Sequence, residues 1–91
     1  MPIVVIDENF IPKATKLLKK HPEKKPKIRK TIELLQANPR HPSLRTKKYD
    51  QNLDMWQSYV ENQTPSAWRM WWQWSQTEQD TIVIIGYGPH P

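Results

Sequence analysis

The sequence predicts an α+β fold: an N-terminal strand and an antiparallel helical hairpin packed on a mostly antiparallel sheet of four to five strands. Two observations predict it. Apolar residues recur at helical spacing in the first half of the chain, and strand-like segments separated by turn residues fill the second half. A length of 91 residues fits a single domain, residues 1–91.

The first two elements are a strand and a helix. Residues 2–6 predict a strand because they are mostly β-branched, and their continuous apolar run predicts burial on both faces. The helix that follows is expected to end at His21-Pro22, because a residue before proline is pushed to extended geometry. Its apolar stripe consists of Phe10, Ala14, Leu17 and Leu18.

The second helix is expected to begin between Glu23 and Pro26 and to end at Asn38-Pro39. Its first half is strongly basic, although lysines at a helix amino end oppose the macrodipole. Its apolar stripe consists of Ile28, Ile32, Leu34 and Leu35.

Four further strands are predicted at residues 44–49, 55–60, 66–75 and 80–86, with the late strands in a meander. The strand at 66–75 has the clearest alternation, with Trp68, Met70, Trp72 and Trp74 on one face. That face is expected to enter the core, which leaves Ala67, Arg69, Trp71 and Gln73 on the other.

Composition excludes several classes of protein. The chain has no cysteine, so disulfide scaffolds, cysteine-based zinc sites and cysteine nucleophiles are excluded. The longest apolar run, Ile82–Ile85, is far below the roughly 20 residues of a membrane helix. The amino terminus does not resemble a signal peptide. The expectation is a cytoplasmic protein with no membrane partner.

Positive charge is concentrated in the first half of the chain. Residues 1–48 carry 13 of the 14 Lys and Arg and four acids, a net charge of +9, whereas residues 49–91 have a net charge of −4. A basic half suggests a polyanionic partner such as nucleic acid or an acidic protein segment. A solvated helix surface explains the same pattern equally well.

Arg69 is the most informative candidate because it is the single Lys or Arg after residue 48 and lies mid-strand among tryptophans. A buried charge must be paired or have a use. The structural alternatives are a salt bridge to Glu61, Glu78 or Asp80, or stacking on Trp71.

Three more cations, Arg45, Lys47 and Lys48, lie on one short segment. On a strand, Arg45 and Lys47 share a face and Lys48 points to the other. Close to Arg69, such cations would grip phosphate or stabilise charge on a transferring phosphoryl group. The alternative is a solvated edge strand guarded by lysines.

Each of the three histidines precedes a proline, and their spacing matches no zinc motif. We therefore expect no metal site and no small-molecule cofactor. His90 is the candidate for acid–base work, with a frayed terminus as the alternative. The five tryptophans fit a core, a base-stacking platform or a partner interface, and Trp71 is the candidate for a functional surface position.

One combination of motifs resembles a known family. The segment Asn38-Pro39-Arg40-His41-Pro42-Ser43-Leu44-Arg45 is followed by Lys48, Trp56, Arg69 on an aromatic strand, and an apolar strand that ends in Gly88-Pro89-His90. This pattern resembles the RelE/ParE toxin superfamily, in particular a short branch that ends in Pro-His-Pro. The resemblance covers nearly the whole chain.

The resemblance implies the toxin component of a type II toxin–antitoxin module, a metal-independent endoribonuclease that cuts mRNA, commonly on the ribosome, by attack of the ribose 2′-OH. The cognate antitoxin is the implied partner protein. Carried over by position, Arg69, His90 and Lys48 are the implied catalytic residues. The implied RNA contacts are Arg45, Lys47, Arg40, His41 and Trp71.

The chain stops soon after His90, whereas many family members continue into a segment with a tyrosine. An alternative is therefore a non-catalytic member, either a ParE-like gyrase inhibitor or an inactive toxin homologue that binds a partner protein. A free-standing RNA-binding module is a third hypothesis.

Overall fold

The computed structural model describes residues 1–50, 52–62 and 66–90. In chain order the elements are β1 (Ile3–Ile6), α1 (Ile11–Lys20), α2 (Lys25–Ala37), β2 (Lys47–Asp50), β3 (Met55–Tyr59), β4 (Trp68–Trp74) and β5 (Thr81–Pro89). Short 3-10 turns at Pro22–Lys24 and Pro42–Leu44 precede α2 and β2. This order of elements confirms the sequence prediction.

The five strands form one mixed sheet in the order β1-β5-β4-β3-β2. β1 pairs with β5 in parallel, and the remaining neighbours are antiparallel. The predicted α+β class is confirmed at this level: two helices pack on a five-stranded sheet. The register places Tyr59 of β3 opposite Arg69 of β4, and Arg69 opposite Gly88 of β5.

The core lies between the helices and one face of the sheet, which we call the inner face. β4 contributes Trp68, Met70 and Trp72 to this core, in the alternation that the sequence predicts. β5 adds Ile82 and Ile84. The helices contribute Ala14, Ile28 and Leu35. The opposite face, here the outer face, carries the half-buried side chains of Tyr59, Arg69, Trp71 and Gln73.

Prolines define the helix boundaries as predicted. Pro12 lies in the first turn of α1, where its missing N–H costs little. The residue after α1, His21, leaves helical geometry before Pro22, and the residue after α2, Asn38, is extended before Pro39. Neither α1 nor α2, the two helices of the described residues, is long and apolar enough to cross a membrane.

Two burial predictions were wrong. β1 is not buried on both faces, because Ile3 is 60% and Val5 is 43% exposed while Val4 and Ile6 pack on the core. β1 is an edge strand, and helices cover only its inner side. Trp74 is 38% exposed although it shares a face with Trp72, since it is the last residue of its strand.

Two strand boundaries differ from the prediction by three residues, more than any other. β5 does not end at 86 but continues to Pro89, because Gly86 and Gly88 pair directly with Trp71 and Arg69. Strand β2 begins at Lys47 rather than 44, because the preceding turn leaves Arg45 in the left-handed region, with φ 46° and ψ 42°. A left-handed residue interrupts a strand.

Candidate functional site

Two arginines flank one tyrosine ring on the outer face. The guanidinium carbon of Arg69 lies 3.7 Å from the centroid of the Tyr59 ring, and that of Arg45 lies 5.7 Å from the same centroid. Both distances are within the range of a cation–π contact. We call Arg45, Tyr59 and Arg69 the arginine–tyrosine site.

Arg69 is held in place by backbone carbonyls. Its Nη1 donates to the carbonyl oxygens of Glu61, Ala67 and Trp68 at 3.0, 3.2 and 3.3 Å. Its Nε is buried and has no hydrogen-bond partner among the described residues. Neutral carbonyls fix the direction of the guanidinium but do not cancel its charge. The site therefore presents an oriented cation.

No ion pair within the described ranges includes Arg69. The salt bridges to Glu61, Glu78 or Asp80 that the sequence allows are absent from those residues, and Arg69 contacts the main-chain carbonyl of Glu61 instead. The predicted stacking exists, but on Tyr59 rather than on Trp71. The register explains this choice, because Tyr59 lies directly opposite Arg69.

The Glu61 carboxylate binds other groups. Its oxygens accept from Lys24 Nζ at 2.9 Å, from Lys27 Nζ at 2.5 Å and from the Trp68 N–H at 3.1 Å. Burial acts to raise the pKa of Glu61, but the hydrogen bonds from Lys27, Lys24 and Trp68 outweigh it and lower the pKa to about 2. Glu61 thus ties the connection between the helices to the sheet and neutralises lysines rather than Arg69.

Arg45 reaches the site from the turn before β2. Its backbone N–H donates to the Pro42 carbonyl at 3.1 Å, and its side chain is exposed. Like Arg69, it takes part in no ion pair within the described part of the chain. Two cations that no described carboxylate neutralises lie near one ring, and they make this part of the outer face attractive to an anion.

His90 lies beside the first residues of β4, the end of the strand that carries Arg69. Its backbone N–H donates at 3.0 Å to the Ala67 carbonyl, which also accepts from Arg69 Nη1. The His90 side chain is exposed. The structure therefore places the His90 backbone beside the start of β4, where Arg69 lies, and brings Arg45 and Arg69 to the same tyrosine ring.

Lys48 lies elsewhere. It pairs with Trp56, which pairs with the core residue Trp72, so Lys48 faces the inner side of the sheet. Its Nζ forms an ion pair with Asp54 and lies 4.6 Å from the centroid of the Trp56 ring. Lys47, which pairs with Gln57, is exposed on the outer side. The structure thus separates Lys48 from Arg69.

Trp71 lines an aromatic groove of about 380 Å³ on the outer face, beside the arginine–tyrosine site. Its indole N–H donates to Gln57 Oε1 at 3.1 Å, and its ring meets Tyr49 edge to face at 5.9 Å. Met55, Ile85 and Phe10 complete most of the wall. Tyr49 is 55% exposed, so the groove offers an aromatic surface for a planar ligand.

Arg40 and His41 lie in the loop after α2 and line a separate groove together with Arg45. The Arg40 N–H donates to Asn38 Oδ1 at 3.0 Å, and His41 Nδ1 accepts from the Ser43 N–H at 3.1 Å. These bonds order the loop that positions Arg45.

Sequence reasoning missed Tyr59 and Tyr49. Both tyrosines lie in segments predicted as strands; Tyr49 directly follows Lys48, whereas no cation is adjacent to Tyr59 in sequence. Pairing was the signal that could have found Tyr59: once residues 55–60 and 66–75 are joined as a hairpin, some residue of the first strand must lie opposite Arg69. Which residue lies opposite Arg69 depends on the register, and the register depends on the connection between the two strands.

No protein-family model matches the chain, and no curated protein matches it in sequence. The fold and the site therefore define a class by geometry alone: a small α+β domain whose outer sheet face carries aromatic rings beside two arginines that no described carboxylate neutralises.

Proposed function

We propose that this domain is an RNA-cleaving toxin component of a type II toxin–antitoxin module, as the resemblance to RelE/ParE toxins implies. The supporting observation is the arginine–tyrosine site, where Arg45 and Arg69 flank Tyr59 on the outer face with no described carboxylate partner. Such a pair of guanidinium groups suits the oxygens of a phosphodiester.

In the proposed reaction the RNA phosphate lies against Arg69 and Arg45. The ribose 2′-hydroxyl gives up its proton as its oxygen bonds to phosphorus. The bond from phosphorus to the 5′-oxygen breaks, and that oxygen takes up a proton. The products are a 2′,3′-cyclic phosphate and a 5′-hydroxyl end. Arg69 is oriented in advance by three carbonyls, so it can stabilise the negative charge that develops on phosphorus-bound oxygens without reorganising.

His90 is the proposed proton-transfer group. Its main chain is tied to the carbonyl that also holds Arg69, and its side chain is exposed at that strand end. An imidazole has one nitrogen that can accept a proton and one that can donate it, which suits this role. The proposal gives Lys48 no catalytic part, because its charge lies on the inner side and is paired with Asp54.

The aromatic groove supports the same proposal. Tyr49 and Trp71 offer ring faces beside the arginines, and base–aromatic stacking is tolerant of sequence. RNA bases next to the cleaved phosphate would stack there, and the exposed Lys47 on the same side would contact the backbone.

The decisive experiment is inducible expression in a bacterium, with total RNA mapped at its 5′ ends. New 5′-hydroxyl ends within translated mRNAs are expected for the unaltered chain and not for Arg69→Ala. The matched control is Lys30→Ala, which removes one positive charge from an exposed position on α2. The control should retain the cuts. Circular dichroism of both variants establishes that they fold.

New RNA ends in the folded Arg69→Ala variant would contradict the proposal, as would growth arrest with intact RNA. Neutralisation is tested in the same system: co-expression of the cognate antitoxin, proposed to be the neighbouring gene product, should abolish arrest.

The second candidate is a non-catalytic family member that binds gyrase or another protein. The placement of Lys48 favours it, because one of the three implied catalytic groups is far from Arg69 in the sheet. Arrest with accumulated DNA breaks and no RNA cuts would support the gyrase version. No arrest but tight binding to the neighbouring gene product would support the inactive version.

A further inference from the structure

A cleft lies between α1 and α2 on the inner side of the sheet, opposite the arginine–tyrosine site, and we call it the interhelical cleft. Its volume is about 570 Å³, within the range of about 300–1,000 Å³ that small-molecule sites occupy. The α2 residues that line it run from Lys25 to Gln36, so it extends along about 16 Å of the helix axis. Its apolar wall consists of Ile6, Leu18, Ile28 and Ile32.

Charge is distributed unevenly along the interhelical cleft. Lys25 and Arg29 lie toward the amino end of α2, and Glu33 and Gln36 lie toward its carboxyl end. Neither Lys25 nor Arg29 takes part in an ion pair within the described ranges, although Glu33 is one helical turn from Arg29. Two cations and one acid leave the lining with one net positive charge. The cleft therefore suits a monoanion whose charge lies at the Lys25 end.

Tyr87 adds a polar group at the same end of the cleft. It is 4% exposed and lies opposite the core residue Met70 in the sheet, so its ring points toward the helices. The ring stacks on Trp68 with 6.4 Å between centroids. Lys24, directly before α2, places its Nζ 5.6 Å from the centroid of the same Trp68 ring. Tyr87 is therefore close to the amino end of α2, where Lys25 begins the cleft.

The Tyr87 hydroxyl forms no hydrogen bond with another described residue. The fully buried side-chain atoms that lack a partner among those residues are Trp56 Nε1 and Arg69 Nε, so the Tyr87 hydroxyl retains accessible surface. Tyr87 also borders the aromatic groove, but its ring points to the inner side, where the interhelical cleft lies. Burial raises the pKa of Tyr87, so the hydroxyl stays protonated and can donate to an anion.

We propose that the interhelical cleft binds a medium-chain fatty acid. Its carboxylate accepts from the Arg29 guanidinium, the Lys25 ammonium and the Tyr87 hydroxyl, and its alkyl chain lies along the apolar wall. An extended chain fits a cleft that follows about three turns of α2. A carboxylate fits better than a phosphate monoester, because Glu33 lines the same cleft and repels a second negative charge. The inference does not rest on the proposed function, because none of these residues belongs to the arginine–tyrosine site.

The probe for the test is decanoate, used below the concentration at which it forms micelles. Isothermal titration calorimetry and heteronuclear NMR of the whole chain should show saturable binding, with the largest shifts at Leu18, Ile32 and Tyr87. Decanol lacks the charge and acetate lacks the chain, so each should bind at least about tenfold more weakly. Decyltrimethylammonium has the same chain with a positive head group and should not bind.

Matched variants assign the head-group contacts. Arg29→Ala should weaken decanoate binding at least about tenfold, whereas Lys30→Ala, which removes the neighbouring exposed cation outside the cleft, should leave it within about twofold. Tyr87→Phe keeps the core ring and removes only the hydroxyl, so it should weaken binding about tenfold, as expected for a hydrogen bond to a charged group. Because Arg29 is exposed, its replacement keeps the inference testable even if Tyr87→Phe fails to fold.

Several outcomes would overturn the inference. They are the absence of saturable decanoate binding, equal binding of decanol, and binding that Arg29→Ala leaves unchanged. Shifts confined to Tyr49 and Trp71 would place the ligand on the outer face instead. Binding of an acidic amphipathic peptide but not of decanoate would assign the cleft to a protein segment. A chain that binds decanoate but cuts no RNA would support the inference and contradict the nuclease.

Discussion

The guanidinium of Arg69 lies 3.7 Å from the centroid of the Tyr59 ring, and three backbone carbonyls hold its Nη1 against the strand end. This geometry combines a close cation–π contact with three hydrogen bonds from one guanidinium nitrogen. Only a planar guanidinium can make both at once, because a lysine ammonium is a compact charge on a flexible stem.

Arg69→Lys should therefore fail although it conserves charge. We expect RNA cleavage or RNA affinity to fall at least about tenfold, which corresponds to about 1.4 kcal/mol. Urea unfolding should show a stability loss of about 1–3 kcal/mol, because buried carbonyls lose a charged donor. A lysine variant with unaltered RNA cleavage would mean that position 69 supplies only positive charge.

The role of Tyr59 is testable through its ring. Tyr59→Phe keeps the face on which Arg69 lies, so RNA affinity and stability should stay close to those of the unaltered chain. Tyr59→Leu removes the face and should lower stability by about 0.5–2 kcal/mol, the usual size of a cation–π contact. Chemical denaturation of both variants measures the difference. Equal losses of stability in Tyr59→Phe and Tyr59→Leu would assign the effect to the hydroxyl instead.

The bonds of the Glu61 carboxylate with Lys24, Lys27 and the Trp68 N–H make a pH-dependent contribution to stability. Burial acts to raise the pKa of Glu61, but the hydrogen bonds from Lys27, Lys24 and Trp68 outweigh it, so the pKa is about 2 in the folded chain. An unfolded glutamate titrates at about 4.3. The unfolded chain therefore takes up this proton first as pH falls, so the contribution is complete above about pH 5 and is lost progressively toward pH 2.

Glu61→Gln isolates that contribution, since glutamine still accepts from Trp68 but cannot pair with lysine. The variant should be less stable than the unaltered chain at pH 7, and the gap should narrow between about pH 5 and pH 2, the window that the two pKa values set. Urea unfolding at neutral pH and at several points across that window gives the comparison. A gap that stays constant with pH would show that the carboxylate charge adds nothing to stability.

The helix ends and the β4 alternation were predictable because each depends on local chemistry. Pro22 and Pro39 end helices whatever surrounds them, and a period of two along residues 68–72 separates core from surface without knowledge of the neighbours. The order of elements followed from these local signals.

Other features depend on pairing, which local patterns do not encode. Gly86 and Gly88 look like turn residues, yet they belong to β5 because β4 supplies their ladder partners. Ile3 and Val5 look like core, yet they are exposed because β1 lies at the sheet edge. The arginine–tyrosine site is of the same kind, since its members come from a turn and two strands.

Arg45 combines a strained backbone with a candidate functional side chain. Its φ of 46° costs a residue with a Cβ about 1–2 kcal/mol, whereas glycine adopts this region freely. Arg45→Gly should therefore keep or raise the melting temperature while it removes one guanidinium from the site. Arg45→Ala removes the same group but keeps the strain, so it should be the less stable of the two.

RNA affinity should fall in both Arg45 variants, whether stability rises or not. For single-stranded RNA, each phosphate that the protein neutralises adds about 0.7 to the magnitude of the slope of log K against log salt. Both Arg45 variants should bind more weakly at low salt and show a correspondingly smaller slope, and Lys30→Ala, on exposed α2, should show neither change. Fluorescence anisotropy over a salt series measures both the RNA affinity and the slope. An unchanged slope in Arg45→Gly would show that Arg45 is not part of the RNA-binding surface. A lower melting temperature for Arg45→Gly than for the unaltered chain would show that the left-handed backbone of Arg45 is not strained.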